Sequence, residues 1–227
     1  MLKPKVLLID LDGTLVRGDG LRFRIQFFAS LFCEWQASLG FQSFFKSLSS
    51  LKSALYVPNS HDSNETRLVR AFARLHQMPE EEARSLLREL TSRAFRSVDD
   101  LFSPVEGAKE FLTWGRTRFP LVLATNPIWL LDAVHWRLRC AGLDPQIFQF
   151  ITHIENMNSI KPFPEYYREL LTKIGHKAED VFLIGNDPVK DGSARKVGIG
   201  VALIDPKNSK QSFLRLKESL TICELSY

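Results

Sequence analysis

The 227 residues are 44% hydrophobic and 25% charged, with a formal net charge of +4, enough for the core of one large globular domain or of a core with an insertion. Lys and Arg are scattered among acids instead of forming a block, so the surface reads as solvated and argues against nucleic acid as a partner. Cys33, Cys140 and Cys223 stand far apart without CxxC or metal spacing and read as buried reduced thiols of a cytoplasmic protein.

The N-terminal apolar run stops at Asp10, too short for the hydrophobic region of a signal peptide. Val6 to Ile9 reads as a first buried strand, ending abruptly in Asp10, Asp12, Gly13 and Thr14. From about Val16 to Ser103 no run reads as a buried strand. Apolar residues at three- and four-residue spacings instead predict helices over Leu21 to Leu39, Phe44 to Leu55, Asn64 to His76 and Pro79 to Phe95. The first of these is interrupted by Arg22, Arg24 and Glu34, whereas a membrane span needs roughly 20 mostly apolar residues, so no transmembrane helix is expected. Gly18-Asp19-Gly20 and Ser103-Pro104 read as hinges at the two edges of this helical insertion.

Beyond it, strands predicted at Pro120 to Ala124, Phe148 to Thr152, Val181 to Ile184 and Gly200 to Ile204 alternate with helices. The helical patterns cover Pro104 to Arg116, Ile128 to Cys140, Pro164 to Ile174 and Val189 to Val197. Alternation of this kind implies right-handed crossovers and a parallel sheet covered on both faces, an α/β fold. The expected division is a core of residues 1–17 and 104–227 with an insertion over 18–103.

Open parallel sheets bind ligands beyond the carboxyl ends of their strands. Those ends carry Asp10, Asp12 and Thr14, then Thr125 and Asn126, then Lys161 and Pro162, and finally Asn186, Asp187 and Asp191. Adjacent strands would gather about four carboxylates, one ammonium and small hydrogen-bonding side chains into one pocket. Buried acids are costly unless compensated, and this set suits a hard divalent cation with Lys161 offsetting the remaining charge. Mg²⁺ is the natural choice, because it binds few carboxylates and leaves positions for phosphate and water.

"DLDGTL", "LVLATN", "KP" and "FLIGNDPVKD", in this order and each near a strand end, resemble the four motifs of the haloacid dehalogenase-like (HAD) hydrolases over Lys5 to about Ile204. The resemblance implies a Rossmann-like core with an inserted all-helical cap of the C1 type. It implies Asp10 as nucleophile toward a phosphate monoester and Asp12 as acid and then base. Thr125, Asn126 and Lys161 would bind the phosphoryl group, together with the amides of Leu11 and Asn126. Asp10, the Asp12 carbonyl, Asn186 and Asp187 would hold Mg²⁺, and Asp191 would support Lys161 or metal-bound water. Many relatives carry an acid where this chain has Asn186, so Asp187 is expected to supply the larger electrostatic share.

The expected activity is an Mg²⁺-dependent phosphatase acting on a small phosphorylated metabolite, without nucleic acid or membrane. A phosphomutase, a dehalogenase and a non-catalytic scaffold are the alternatives. A dehalogenase needs no second acid, since no alkoxide requires a proton, and Asp12 favours phosphate chemistry. His61, His76, His135, His153 and His176 lack metal-ligand spacing. Trp114, Trp129 and Trp136 read as packing anchors. Phe23, Phe27, Phe28, Phe32, Phe41, Phe44 and Phe45 read as the core of the insertion, with an apolar substrate subsite or a dimer face as the other reading. Arg17, Arg22, Arg24, Arg67 and Arg70 could meet an anionic substrate or keep helices soluble. Oligomeric state is open.

Overall fold

The structure is a computed structural model describing residues 4–18, 20–40, 43–58, 61–98 and 101–225. Asp19, Phe41 and the side chain of Cys223 lie outside the described residues. In chain order, β1 (Val6–Ile9) and β2 (Val16–Gly18) precede helices α1 (Gly20–Leu39), α2 (Ser43–Leu55), α3 (Asn64–His76) and α4 (Glu80–Arg96). Then follow β3 (Phe102–Pro104), α5 (Ala108–Gly115), β4 (Leu121–Leu123), α6 (Leu131–Cys140), β5 (Phe148–Ile151), α7 (Pro164–Ile174), β6 (Val181–Gly185), β7 (Gly200–Leu203) and α8 (Ser209–Leu225).

A parallel sheet in the order β5-β4-β1-β6-β7 forms the centre. Strand β1 is buried throughout, and its side chains alternate with the two-residue period of a strand. Leu7 and Ile9 pack with Phe111, Leu112 and Leu138 on one face, and Val6 and Leu8 with Tyr166, Tyr167 and Leu170 on the other. Burying each such aliphatic side chain contributes about 1.5–3 kcal/mol, which fixes β1 between β4 and β6. The chain builds outward from β1 through β4 to β5 and then crosses to β6 on the other side of β1, so the loops after β1, β4 and β6 converge on one crevice.

Four readings of the chain change. The outer strands β5 and β7 are only partly buried, because an edge strand has a neighbour on one side alone. The stretch from Val189 is not an α-helix: only Gly192–Val197 is helical, as a 3₁₀ turn. Helix α8, which the periodicity did not predict, covers the α5 side of the sheet through Phe213, Leu216 and Leu220. Cys33 is exposed and Cys140 half-buried, contrary to the expectation of buried thiols.

The edges of the insertion are not bare hinges. Val16, Arg17 and Gly18 pair antiparallel with Pro104, Ser103 and Phe102, so the chain enters and leaves the helical insertion through a two-stranded ribbon. The insertion is also tied to the core at the start of α3. Ser63 caps this helix by accepting from the Thr66 N–H at 3.1 Å. The Asn64 and Glu65 N–H groups donate to Met157 O (2.8 Å) and Ile154 O (2.9 Å). Buried Asn64 Nδ2 reaches Pro127 O at 3.1 Å, and Arg67 Nη1 reaches Asn158 O at 2.6 Å. Helix N-terminal donors that would otherwise be orphaned are thus satisfied by core carbonyls. No helix among the described residues is long and apolar enough to cross a membrane.

Candidate active site

The end of β1 is fixed by its neighbours: the Asp10 N–H donates to Ile184 O at 2.9 Å, and the Ala124 N–H to Ile9 O at 2.8 Å. The chain then turns sharply, with the Leu11 carbonyl accepting from Leu15 (2.9 Å) and Val16 (3.0 Å). Gly13 makes the turn possible at φ +86°, and a Cβ there would lie 2.2 Å from Asn186 Nδ2. The result is a buried Asp10 facing the ends of β4 and β6.

Lys161, 1% exposed, donates from Nζ to Asp10 Oδ1 at 2.8 Å and Asp191 Oδ1 at 2.6 Å. Burial pushes the Asp10 carboxyl up to about 7, against the pull of the Lys161 ammonium and with the Asp191 charge adding to the rise. Burial alone would lower Lys161, but Asp10, the flanking tyrosines and Asp191 hold it well above its ordinary value. Two carboxylates against one ammonium leave this centre negative.

Asp191 also builds its own loop. Its Oδ2 accepts from the Asn186 and Asp187 N–H groups, each at 3.0 Å, and Gly185 leaves it room: a Cβ there would be 2.3 Å from that oxygen. This arrangement decides where the two neighbouring side chains go. Asn186 turns toward β1, where Thr14 Oγ1 lies 3.3 Å from its Oδ1 and 3.2 Å from Asp10 Oδ2. Asp187 turns away, its Oδ1 accepting from Val189 (2.8 Å) and Lys190 (2.9 Å). Despite the opposing effect of burial, those backbone donors and the Lys190 charge hold its carboxyl below the usual range. Of the two neighbours, Asn186 is the residue that shares Thr14 with Asp10, while Asp187 is engaged within its own loop.

Thr125 and Asn126 follow β4. Tyr166 Oη and Thr152 Oγ1 both donate to the Thr125 carbonyl, at 2.9 and 2.8 Å, while Thr125 Oγ1 is buried without a partner among the described residues. A buried hydroxyl left without a partner at the end of β4 is suited to donate to an anionic oxygen. Asn126 Oδ1 accepts from the Lys161 N–H at 3.1 Å, joining the second and third motifs.

Arg137 of α6 is the residue the motif search missed. Its Nη1 donates to both Asp12 oxygens at 2.8 Å, and its Nη2 is buried without a partner among the described residues. The signal was in the helix pattern: Arg137 stands four residues from both Ala133 and Ala141 on a buried face, where a charge needs a reason.

The donor chemistry fits Mg²⁺. Among the described residues no three His, Cys, Asp or Glu side chains converge as a metal cage. Mg²⁺ usually takes one or two carboxylates and completes its shell with water and phosphate; Asp10 and the Asn186 amide oxygen offer that small set beside a centre with surplus negative charge.

A family model described as haloacid dehalogenase-like hydrolase matches residues 7–204. No curated protein matches the chain. Among solved structures, the HAD-hydrolase YfnB of Bacillus subtilis bound to magnesium is similar at 19% identity and TM-score 0.58, covering 96% of this chain and 99% of that one. A 2-haloacid dehalogenase of Pseudomonas syringae pv. Tomato DC3000 aligns at 19% identity and TM-score 0.60, covering 90% and 88%. A predicted phosphoglycolate phosphatase of Haemophilus somnus 129PT aligns at 19% identity and TM-score 0.57, covering 96% and 99%. At these identities the likeness carries the fold and not the substrate.

Proposed function

The chain belongs to the haloacid dehalogenase-like hydrolases, and within that family we propose that it is an Mg²⁺-dependent phosphatase acting on a small phosphate monoester. The observation that carries this reading is Asp12: an acid stands two residues beyond the nucleophile candidate, exposed toward the crevice and gripped by a buried arginine. Dehalogenation expels a halide that needs no proton, whereas an alkoxide leaving from phosphorus does. The four-helix insertion corresponds to a C1-type cap.

In the proposed reaction an Asp10 carboxylate oxygen bonds to phosphorus as the bond from phosphorus to the alcohol oxygen breaks. Asp12 gives its proton to the leaving oxygen and then takes one from the water that attacks the aspartyl-phosphate, so phosphate departs and both acids return to their starting states. Lys161 and the Thr125 hydroxyl bind phosphoryl oxygens as charge builds on them, and Asp191 keeps Lys161 in place. Asp10, the Asp12 carbonyl and Asn186 would hold Mg²⁺, which when bound offsets the repulsion between an anionic nucleophile and an anionic substrate.

The test is an assay of purified protein with p-nitrophenyl phosphate in Mg²⁺ and in EDTA. Turnover should require the metal and should vanish in Asp10→Asn, whose amide keeps the shape but cannot attack. Release of halide from 2-haloacids without phosphate turnover would replace this reading with the dehalogenase.

A further inference from the structure

A cavity of about 470 Å³ lies between the helical insertion and the core, within the size range of ligand pockets and far above a packing void. Its walls are apolar side chains from all four inserted helices, among them Phe27, Leu31, Leu51, Val69 and Leu87, and its core side carries Trp129. Two further lining residues, Asn126 and Ile160, belong to the phosphate site: Asn126 holds the Lys161 N–H, and Ile160 precedes that lysine. The exposed Lys52 and Tyr56 stand at the rim, and the Tyr56 ring meets Phe163, two residues past Lys161, at 6.2 Å.

Apart from Lys52 at the rim, whose Nζ lies 6.0 Å from the Tyr56 ring centre, the charges bordering the cavity pair with one another. Arg84 and Arg88 both bind Glu65, and Arg88 also binds Glu155, so two guanidiniums face two carboxylates. The arginines that could have met an anionic substrate are elsewhere. Arg67 binds the carbonyls of Ala54, Asp62 and Asn158, Arg70 pairs with Asp62 and Glu80, and Arg17 holds Pro206 O. None of Arg17, Arg22, Arg24, Arg67 and Arg70 lines the cavity.

Resting on the phosphatase reading, the geometry points to the substrate class: the phosphate ester of an uncharged, largely hydrocarbon alcohol, whose chain or ring fills this cavity while its phosphate meets Asp10. A second carboxylate or a polyhydroxylated group lying among the apolar walls would meet no counter-charge there, Lys52 standing at the exposed rim, and would be desolvated at a cost.

The experiment is a series of methyl, butyl and octyl phosphates with Mg²⁺, against phosphoglycolate and glycerol phosphate. Each added methylene should raise kcat/KM roughly three- to fourfold until the cavity is full. Leu87→Phe and, separately, Leu51→Phe should each cut the octyl-to-methyl ratio roughly tenfold. A flat series, or preference for the anionic esters, overturns the assignment. A second measurement does not need turnover: titration with butyl and octyl phosphonate, followed by the fluorescence of Trp35 and Trp129 in the cavity wall. If no phosphate is hydrolysed, the phosphatase reading fails by itself. Tighter binding of the octyl phosphonate would then still support the apolar site, and no gain over butyl would overturn it.

Discussion

Arg137 Nη1 lies 2.8 Å from each carboxylate oxygen of Asp12, the guanidinium side chain 3% exposed and the acid 55%. A buried donor thus aims an exposed acid. If that acid serves the leaving group, Arg137→Met should slow the first turnover of an alkyl phosphate roughly 10- to 100-fold. First-turnover release of p-nitrophenol, a leaving group that needs no proton, should change much less. Equal loss with both esters would assign Arg137 to the fold alone.

Asp12→Asn sharpens the same point. With p-nitrophenyl phosphate the variant should still release one p-nitrophenol per enzyme and then stall, because the acid that activates water is gone. Rapid mixing would read this burst, and phosphate bound to protein would accumulate with it. Steady turnover without a burst would remove Asp12 from the hydrolytic half.

Lys161 is held between Asp10 and Asp191 at 2.8 and 2.6 Å. Lys161→Met leaves two buried carboxylates facing each other, and removing one partner of such a buried set costs about 3–5 kcal/mol. Denaturant unfolding in EDTA should show a loss of that size. A loss under about 1 kcal/mol, the level of exposed pairs, would mean that the acids relax into water.

The sheet was legible because its signal is local. Val6 to Ile9 and Val181 to Ile184 are unbroken apolar runs, and the acids after them announce a compensated site. What escaped depends on partners distant in sequence. Val16–Gly18 is too short to show a period and becomes a strand only by meeting Phe102–Pro104. Arg137 shows in the sequence only as a charge on an apolar helix face, and its purpose appears when α6 brings it to Asp12. Neither Asn186 nor Asp187 carries a mark of its direction; Asp191 sets both by accepting their N–H groups.

His76 sits in the insertion, with Nε2 2.8 Å from Ser47 Oγ and its ring against Phe72 and Trp35. Burial holds it below its ordinary 6.5. The unfolded chain therefore binds a proton more readily than the folded one as pH falls through about 6.5, so stability is full above that pH and declines below it. His135 and His153 are lowered as well, chiefly by burial, and act in the same direction. Over pH 5–7 the raised Asp10 carboxyl acts the other way, because the folded chain holds its proton more tightly, so the imidazole share is read as a difference: the slope of unfolding midpoint against pH should be less positive in His76→Gln than in the natural chain. An unchanged slope would exclude His76 as a contributor.

Asn186 and Asp187 give the most discriminating prediction, because charge and geometry favour different residues. Charge favours Asp187, since a carboxylate attracts a divalent cation more strongly than an amide does. Geometry favours Asn186, whose Oδ1 lies 3.3 Å from the hydroxyl that also contacts Asp10, while Asp187 is engaged with Val189 and Lys190. Bringing Asp187 to the ion would break both of those hydrogen bonds and open the loop that Asp191 closes. Asn186→Ala should accordingly raise the Mg²⁺ concentration for half-maximal turnover roughly tenfold, the scale on which changes around a metal site alter affinity. Asp187→Ala removes a turn cap and should lower stability by about 0.5–2 kcal/mol with a smaller change in Mg²⁺ requirement. Asn186→Asp restores the acid that many relatives carry there and should lower the requirement below that of the natural chain. A larger metal effect from Asp187→Ala than from Asn186→Ala, in folded proteins, would show that the loop reopens around the ion and would return the metal to Asp187.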